Sequence, residues 1–270
     1  MQELPELHIY RSQLAEQFAG AQITGIEVVN TKSFQENKEL LSELVGKVVL
    51  FIERRGKHLL FHLDNGRRLV LQFGKESYLY KGTALDQTSR AAQVKLFFED
   101  RILFLVGLRA DDIQVMKVKE IEEQLRALGP DALDKKLTLD RFIERFAKKR
   151  GSIKSALMDQ NVISGIGPVY SDEICFAAAV RPDAKIPVFE SETWERLYDA
   201  MHSVLEKAIS EGGAGVQTFE EGDSLTGGYR EYFLVYGRED QTCSRCGGNI
   251  RKIDISSRKA YVCPGCQKDQ

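Results

Sequence analysis

The chain has 270 residues, with 38 lysines and arginines against 40 aspartates and glutamates, giving a formal net charge of -2. Hydrophobic residues at 43% and charged residues at 29% are ordinary globular proportions and exclude a long disordered chain. No apolar run approaches the ~18 residues of a membrane span, and the acidic start, Met1-Gln2-Glu3-Leu4-Pro5-Glu6, lacks the apolar core of a secretory signal.

In chain order, a first helix is predicted from about residue 5 to 18, with Leu7, Leu14 and Phe18 at helical spacing and Gly20 as its stop. Glu3 and Glu6 lie at the positive end of its dipole. Short β-rich runs follow at 23–29, 48–53, 58–63, 68–73, 94–99 and 102–106. Asp64-Asn65-Gly66, between two apolar runs, is a hairpin signal. Strands in direct succession point to a sandwich or barrel rather than a parallel βαβ sheet.

Near Lys117 the pattern turns helical, with helices predicted at 119–128, 139–146, 152–159, 169–176 and 191–210. The last carries Trp194, Leu197, Met201, Val204, Leu205 and Ala208 on one stripe, which makes Trp194 a core residue. The segment 128–136 reads as a linker. The Gly-rich, acidic stretch 212–228 is long for a connection and reads either as a functional loop or as disorder.

Four of the five cysteines crowd into the C-terminal thirty residues. Cys243-x2-Cys246 and Cys263-x2-Cys266 are separated by sixteen residues, the spacing of a two-knuckle zinc site. Four thiolates close a tetrahedral structural site with no open position for catalysis. Two disulfides or a redox pair are the alternative. The intervening hairpin carries Arg251, Lys252, Arg258 and Lys259 against Asp254, which reads as a phosphate-contacting surface or as a solvated face. The fifth cysteine, Cys175, sits among apolar neighbours and reads as a buried thiol. His8, His58, His62 and His202 form no metal-ligand pattern.

Gly165 and Gly167 bracket a tight turn between two helices, preceded by Lys148, Lys149, Arg150 and Lys154. Backbone amides there can hold a phosphate, with Lys154 and Tyr170 as further donors; the alternative is an ordinary helical hairpin. Tyr229, Tyr232 and Phe233 read as base-stacking residues or as strand core.

Together these pieces resemble the formamidopyrimidine-DNA glycosylase / endonuclease VIII family. The resemblance rests on Glu3-Leu4-Pro5-Glu6-Leu7, Arg54-Arg55-Gly56-Lys57-His58-Leu59-Leu60, Leu128-Gly129-Pro130-Asp131 and Ile153-Lys154-Ser155-Ala156-Leu157. It continues through 164–173, Val235-Tyr236-Gly237-Arg238 and Arg258 before the zinc ligand Cys263. It implies an α+β fold: an N-terminal helix plus antiparallel β-sandwich (1–130), a helix–two-turns–helix DNA-binding domain (131–238) and a four-cysteine zinc finger (239–270). It implies a clamp on damaged or abasic DNA, glycosylase and AP lyase chemistry, and a structural zinc ion. The implied catalytic residues are Glu3, Lys57 and Glu6. The implied DNA contacts are Lys154, Gly167, Tyr170, Tyr236, Arg258 and Arg109. The expected setting is a monomer in the reducing cytoplasm, associated with the nucleoid in a bacterium, with no membrane partner.

Several positions depart from the family pattern. The proline whose exposed amine attacks the sugar is replaced by Gln2, a residue that disfavours removal of Met1. The remaining amine is then Met1's, primary and one residue out of place, whereas attack requires approach to about 3–3.5 Å. The wedge methionine is replaced by Lys75, the intercalating phenylalanine by Asp111 and a phosphate-binding asparagine by Pro168. Two readings stay open. One is a glycosylase with altered chemistry, through water activated at Glu3 or through the Lys57 amine. The other is a damage-binding relative without catalysis.

Overall fold

A computed structural model describes residues 2–29 and 38–268. It divides into two compact units. The first comprises Met1–Ala127 and Glu211–Gly228, and the second Leu128–Ser210 and Tyr229–Gln270. Packing therefore places the 211–228 segment with the N-terminal unit, whereas the division at 131 and 239 read from the sequence leaves it in the middle domain.

The first unit begins with helix α1 (Leu4–Phe18), whose Leu4, Leu7, Leu14 and Phe18 are fully buried. Each such side chain contributes roughly 1.5–3 kcal/mol of burial. Its entry is fixed by a capping box: the Glu3 carboxylate accepts the Glu6 N–H, and the Glu6 carboxylate accepts the Glu3 N–H at 2.8 Å. Pro5 in the first turn has no N–H to leave unsatisfied.

Strands β1 (Gly25–Val28), β2 (Val49–Arg55), β3 (His58–Leu63), β4 (Arg67–Gln72), β5 (Tyr78–Gly82), β6 (Ala92–Phe97), β7 (Ile102–Val106) and β8 (Ile113–Lys117) form two antiparallel sheets. A short helix α2 (Lys38–Ser42) precedes β2. The strand orders are β1-β6-β7-β5 and β2-β3-β4-β8. Register aligns apolar rows across each sheet: Val28, Val94, Leu105 and Leu79 in one, Ile52, Phe61, Leu69 and Val115 in the other. Both rows enter one core with Leu7, Leu14 and Phe18 of α1. This is the expected β-sandwich, with β5, β8 and α2 added to the elements read from sequence. Helix α3 (Val118–Leu125) ends the unit's first segment.

The second unit carries α4 (Leu139–Phe146), α5 (Ile153–Leu157), α6 (Pro168–Ala177), α7 (Ser191–Ser210) and the hairpin of β9 (Arg251–Ile255) with β10 (Arg258–Val262). Thr138 and Ser152 cap α4 and α5 through their hydroxyls. Trp194 on α7 packs against Phe142, Phe146 and Phe189, the core position read from its stripe. Gly165, with φ +106, makes the turn between α5 and α6, and its N–H donates to Gln160 Oε1 at 2.9 Å. Among the described residues, no helix is long and apolar enough to cross a membrane.

Candidate functional site

In the first unit the N-terminal residues lie against β5 and the 211–228 segment. Gln2 is 6% exposed, and its Nε2 donates to the Ser77 carbonyl at 3.2 Å. Its Oε1 is buried and meets no donor among the described residues. Gln2 lines a cavity of about 340 Å³ together with Ser77, Tyr78, Ser89, Val216 and Gln217. The Tyr78 hydroxyl and Ser89 Oγ are 2.7 Å apart, and Ser89 Oγ donates to Gln217 Oε1 at 3.3 Å. Arg90 and Glu76 form an exposed ion pair at its rim.

The two acids at the start of α1 are placed by the helix cap. Glu3 is fully buried and Glu6 is 4% exposed. Glu6 Oε1 also accepts the Ala214 N–H at 2.7 Å, which ties the 211–228 segment to the N-terminus. Gly213 permits this approach: its φ is +67, and a Cβ there would lie 2.8 Å from Glu6 Oε1. Lys57 is half-buried in the turn between β2 and β3. The amine of Met1 lies outside the described residues.

The 211–228 segment is ordered. Asp223 accepts N–H bonds from Phe219, Leu225 and Thr226, at 2.9, 3.0 and 3.1 Å, and the Thr226 hydroxyl at 2.6 Å. Phe219 is fully buried against Tyr10. Glu220 pairs with Lys81 and accepts from Gln17. An apolar anchor inside a polar run and an Asp three residues before a Thr were the signals in the sequence for this order.

In the second unit the expected phosphate contacts separate into two groups. Arg258 is exposed and lines a cavity of about 670 Å³ with Ser152, Ser155, Gln160, Asn161 and Lys185. These neighbours were missed in the sequence, because the turn before α5 and the β9–β10 hairpin lie about a hundred residues apart. Tyr236 is partly exposed, with its ring against Phe233 and Tyr261.

Lys154 and Tyr170, by contrast, point inward. The Lys154 side chain is 2% exposed, lies 2.5 Å from Asp172 and donates to the Pro168 carbonyl. Tyr170 is fully buried against Tyr229, and Gly167 is buried at the N-cap of α6. All three positions are packed into the turn between α5 and α6. Arg109 is exposed but already paired with Asp112 at 3.0 Å. Tyr229, Tyr232 and Phe233 fall around a short 3-10 turn rather than a strand.

Asp172 and Glu173 fix the C-terminal module to α6. Asp172 Oδ2 accepts the Tyr261 N–H at 3.2 Å. Burial pushes the Asp172 carboxyl up to about 7, against the pull of Lys154. Glu173 accepts the backbone N–H of Leu234, Val235 and Tyr236, at 2.9, 3.0 and 2.8 Å. Burial raises its carboxyl too, and the three amides oppose that shift.

The Sγ atoms of Cys243, Cys246, Cys263 and Cys266 all lie within 4.8 Å of one another, with the Cys243–Cys266 and Cys246–Cys263 pairs at 3.8 and 3.4 Å. These separations are far from the ~2.05 Å of a disulfide bond. A zinc ion with bonds of about 2.3 Å sets tetrahedral sulfur–sulfur edges near 3.8 Å. The four cysteines therefore fit a closed structural zinc site. Cys175 is fully buried, as read from its neighbours, and burial pushes its thiol up.

A capped helix on a two-sheet sandwich, a two-turn helical pair and a four-cysteine hairpin define the class of DNA glycosylases built on a helix–two-turns–helix domain. The family model of the formamidopyrimidine-DNA glycosylase N-terminal domain matches residues 1–110, and that of the formamidopyrimidine-DNA glycosylase H2TH domain matches 128–220. Formamidopyrimidine-DNA glycosylases from Pelotomaculum thermopropionicum and Listeria monocytogenes are 32% and 31% identical to this chain. The alignments cover 99% of this chain in both cases, and 99% and 100% of those relatives. The Lactococcus lactis Fpg solved in complex with DNA containing an abasic site superposes with a TM-score of 0.89 at 26% identity, covering 99% of this chain and 100% of that one. The same enzyme with DNA containing Fapy-dG superposes at 0.88. The chain belongs to the formamidopyrimidine-DNA glycosylase family.

Proposed function

We propose that the chain is a DNA repair protein that binds damaged DNA and forms no Schiff base through residue 2. The binding half of this reading is supported by the family and by the exposed Arg258 among Ser152, Ser155, Gln160 and Lys185. That constellation offers charge and hydroxyl or amide donors to a phosphate. The chemical half is carried by one observation: residue 2 is a glutamine, a side chain that disfavours removal of Met1, and it is packed against Ser77. With Met1 retained, the backbone nitrogen of residue 2 is a peptide amide whose lone pair is delocalised into the carbonyl, and it does not add to a sugar aldehyde. Glu3, Lys57 and Glu6 are the three expected catalytic groups that remain. Glu3 accepts a backbone N–H in the helix cap, and we assign Lys57 to phosphate contact.

Binding is expected to fall steeply with salt, because released counterions carry the affinity. Arg258→Ala should weaken binding to damaged and undamaged duplexes alike and lower the log–log salt slope by about 1. Fluorescence anisotropy titrations between about 50 and 200 mM salt, a range over which such slopes are steep, check this. An unchanged slope in the variant removes Arg258 from the interface, and salt-independent binding contradicts the whole reading.

A further inference from the structure

The face of the β2-β3-β4-β8 sheet turned away from the sandwich core has a chemistry of its own. Alternation along β3 sends Leu59, Phe61 and Leu63 into the core and Leu60 and His62 to the opposite face. Register places Glu53 and Val70 beside Leu60, and Phe51 and Arg68 beside His62. Helix α3 packs on this sheet through β4 and β8. Sheet and helix enclose a cavity of about 370 Å³ whose apolar lining is the buried Leu60, Ile121 and Leu125. It shares no lining residue with the cavities beside Gln2 and Arg258.

Three arginines from three places in the chain line this cavity: Arg55 at the end of β2, Arg68 on β4 and Arg126 just after α3. None of them forms an ion pair among the described residues, whereas Arg67, Arg90, Arg101 and Arg109 of the same unit each hold a carboxylate. Two acids line the cavity as well. Glu53 is engaged by His62, whose Nε2 lies 3.0 Å from its carboxylate, and Glu122 stands exposed on α3. Burial, reinforced by the Arg68 charge, holds His62 below its ordinary pKa, so it adds no positive charge at neutral pH. Three guanidinium groups against two carboxylates leave the site positive. Beside it, Phe51 is 50% exposed and stacks on His62 with ring centroids 3.8 Å apart. Arginines and an aromatic ring around an apolar hollow are the composition of a protein interaction hot spot.

We propose that this face docks an acidic segment of a partner protein. A large apolar side chain of the segment enters the cavity, and carboxylates flanking it pair with Arg55, Arg68 and Arg126. Guanidinium forks without carboxylates of their own select such a segment by charge. No Phe, Tyr or Trp lines the cavity itself, so a nucleobase finds no stacking platform there, while the aliphatic lining suits an apolar side chain.

The probe is a fluorescein-labelled hexapeptide, leucine and phenylalanine flanked on each side by two aspartates, titrated against the full chain by fluorescence anisotropy. Two control peptides replace the central pair by serines, or the aspartates by lysines. The acidic apolar peptide should bind one-to-one and at least about tenfold more tightly than either control. Arg126→Glu, at an exposed position, should weaken it about tenfold with an unchanged thermal midpoint. Glu122→Gln, which removes a like charge, should strengthen it about twofold. Absence of binding, equal binding of probe and controls, or an affinity that neither variant moves overturns the proposal. So does a loss of duplex DNA affinity in Arg126→Glu with the peptide unaffected, which gives these arginines to nucleic acid instead.

Discussion

Removing zinc should unfold the C-terminal hairpin while the β-sandwich stays intact. The module has little apolar burial of its own: Ile250, Val235, Cys243 and Cys263 cluster with Phe176, and half of the β9–β10 strand positions are exposed. A structural zinc ion contributes about 10–16 kcal/mol of apparent binding free energy in isolated finger peptides, and that free energy is folding free energy. Metal analysis should find one zinc per chain. A strong chelator should release it with loss of the amide signals of the hairpin and of 234–236, the segment that Glu173 holds to α6. Signals of the β-sandwich core should remain. A chain without zinc, or a chelated chain whose hairpin signals are unchanged, contradicts the closed four-cysteine site.

The second large effect is expected at Lys154. Lys154→Met leaves Asp172 buried with its charge partner gone, a change that destabilises by about 3–5 kcal/mol. The direction of its pH dependence follows from Asp172. Burial raises that carboxyl in the folded chain from 3.8 to about 7. A carboxyl raised on folding favours the folded state at acid pH, and the advantage is lost as pH climbs from the unfolded toward the folded value. Deleting Lys154 removes an influence that lowers this pKa, so the loss continues to higher pH. Urea denaturation at pH 5 and pH 8 should therefore show a larger deficit for Lys154→Met at pH 8. Pairing it with Asp172→Leu should restore much of the stability, because no unpaired charge is then buried. An equal or smaller deficit at pH 8 contradicts a buried ion pair.

These two features differ in how visible they are in the sequence. The zinc site is visible because both Cys-x2-Cys knuckles and their spacing are local. The same holds for β3, with alternating Leu59, Phe61 and Leu63 in the core, and for the capping box at Glu3 and Glu6. The burial of Lys154 is not legible in the sequence, because it closes a basic run while the acid it pairs with stands eighteen residues later on α6. Charge runs report composition, and burial is decided by the partner element. Strand β5, a five-residue run bonded edge-on to β7, and β8, left unassigned just before the helical region, depend on neighbours for their structure. The order of the 211–228 segment is likewise tertiary, since Phe219 reaches the core beside Tyr10. Residue type alone shows Gln2 as a missing nucleophile, whereas the structure adds its fixed amide and the cavity beside it.

The central claim is that the family scaffold for gripping damaged DNA is retained while residue 2 removes its Schiff-base chemistry. Borohydride trapping on abasic DNA, run side by side with the wild-type chain and Gln2→Pro, tests it most directly. Intact mass would confirm loss of Met1 from the variant. The wild type should give no covalent adduct under conditions where it is bound to the DNA, and Gln2→Pro should give a trapped adduct. A wild-type adduct, above all one abolished by Lys57→Ala, would contradict it.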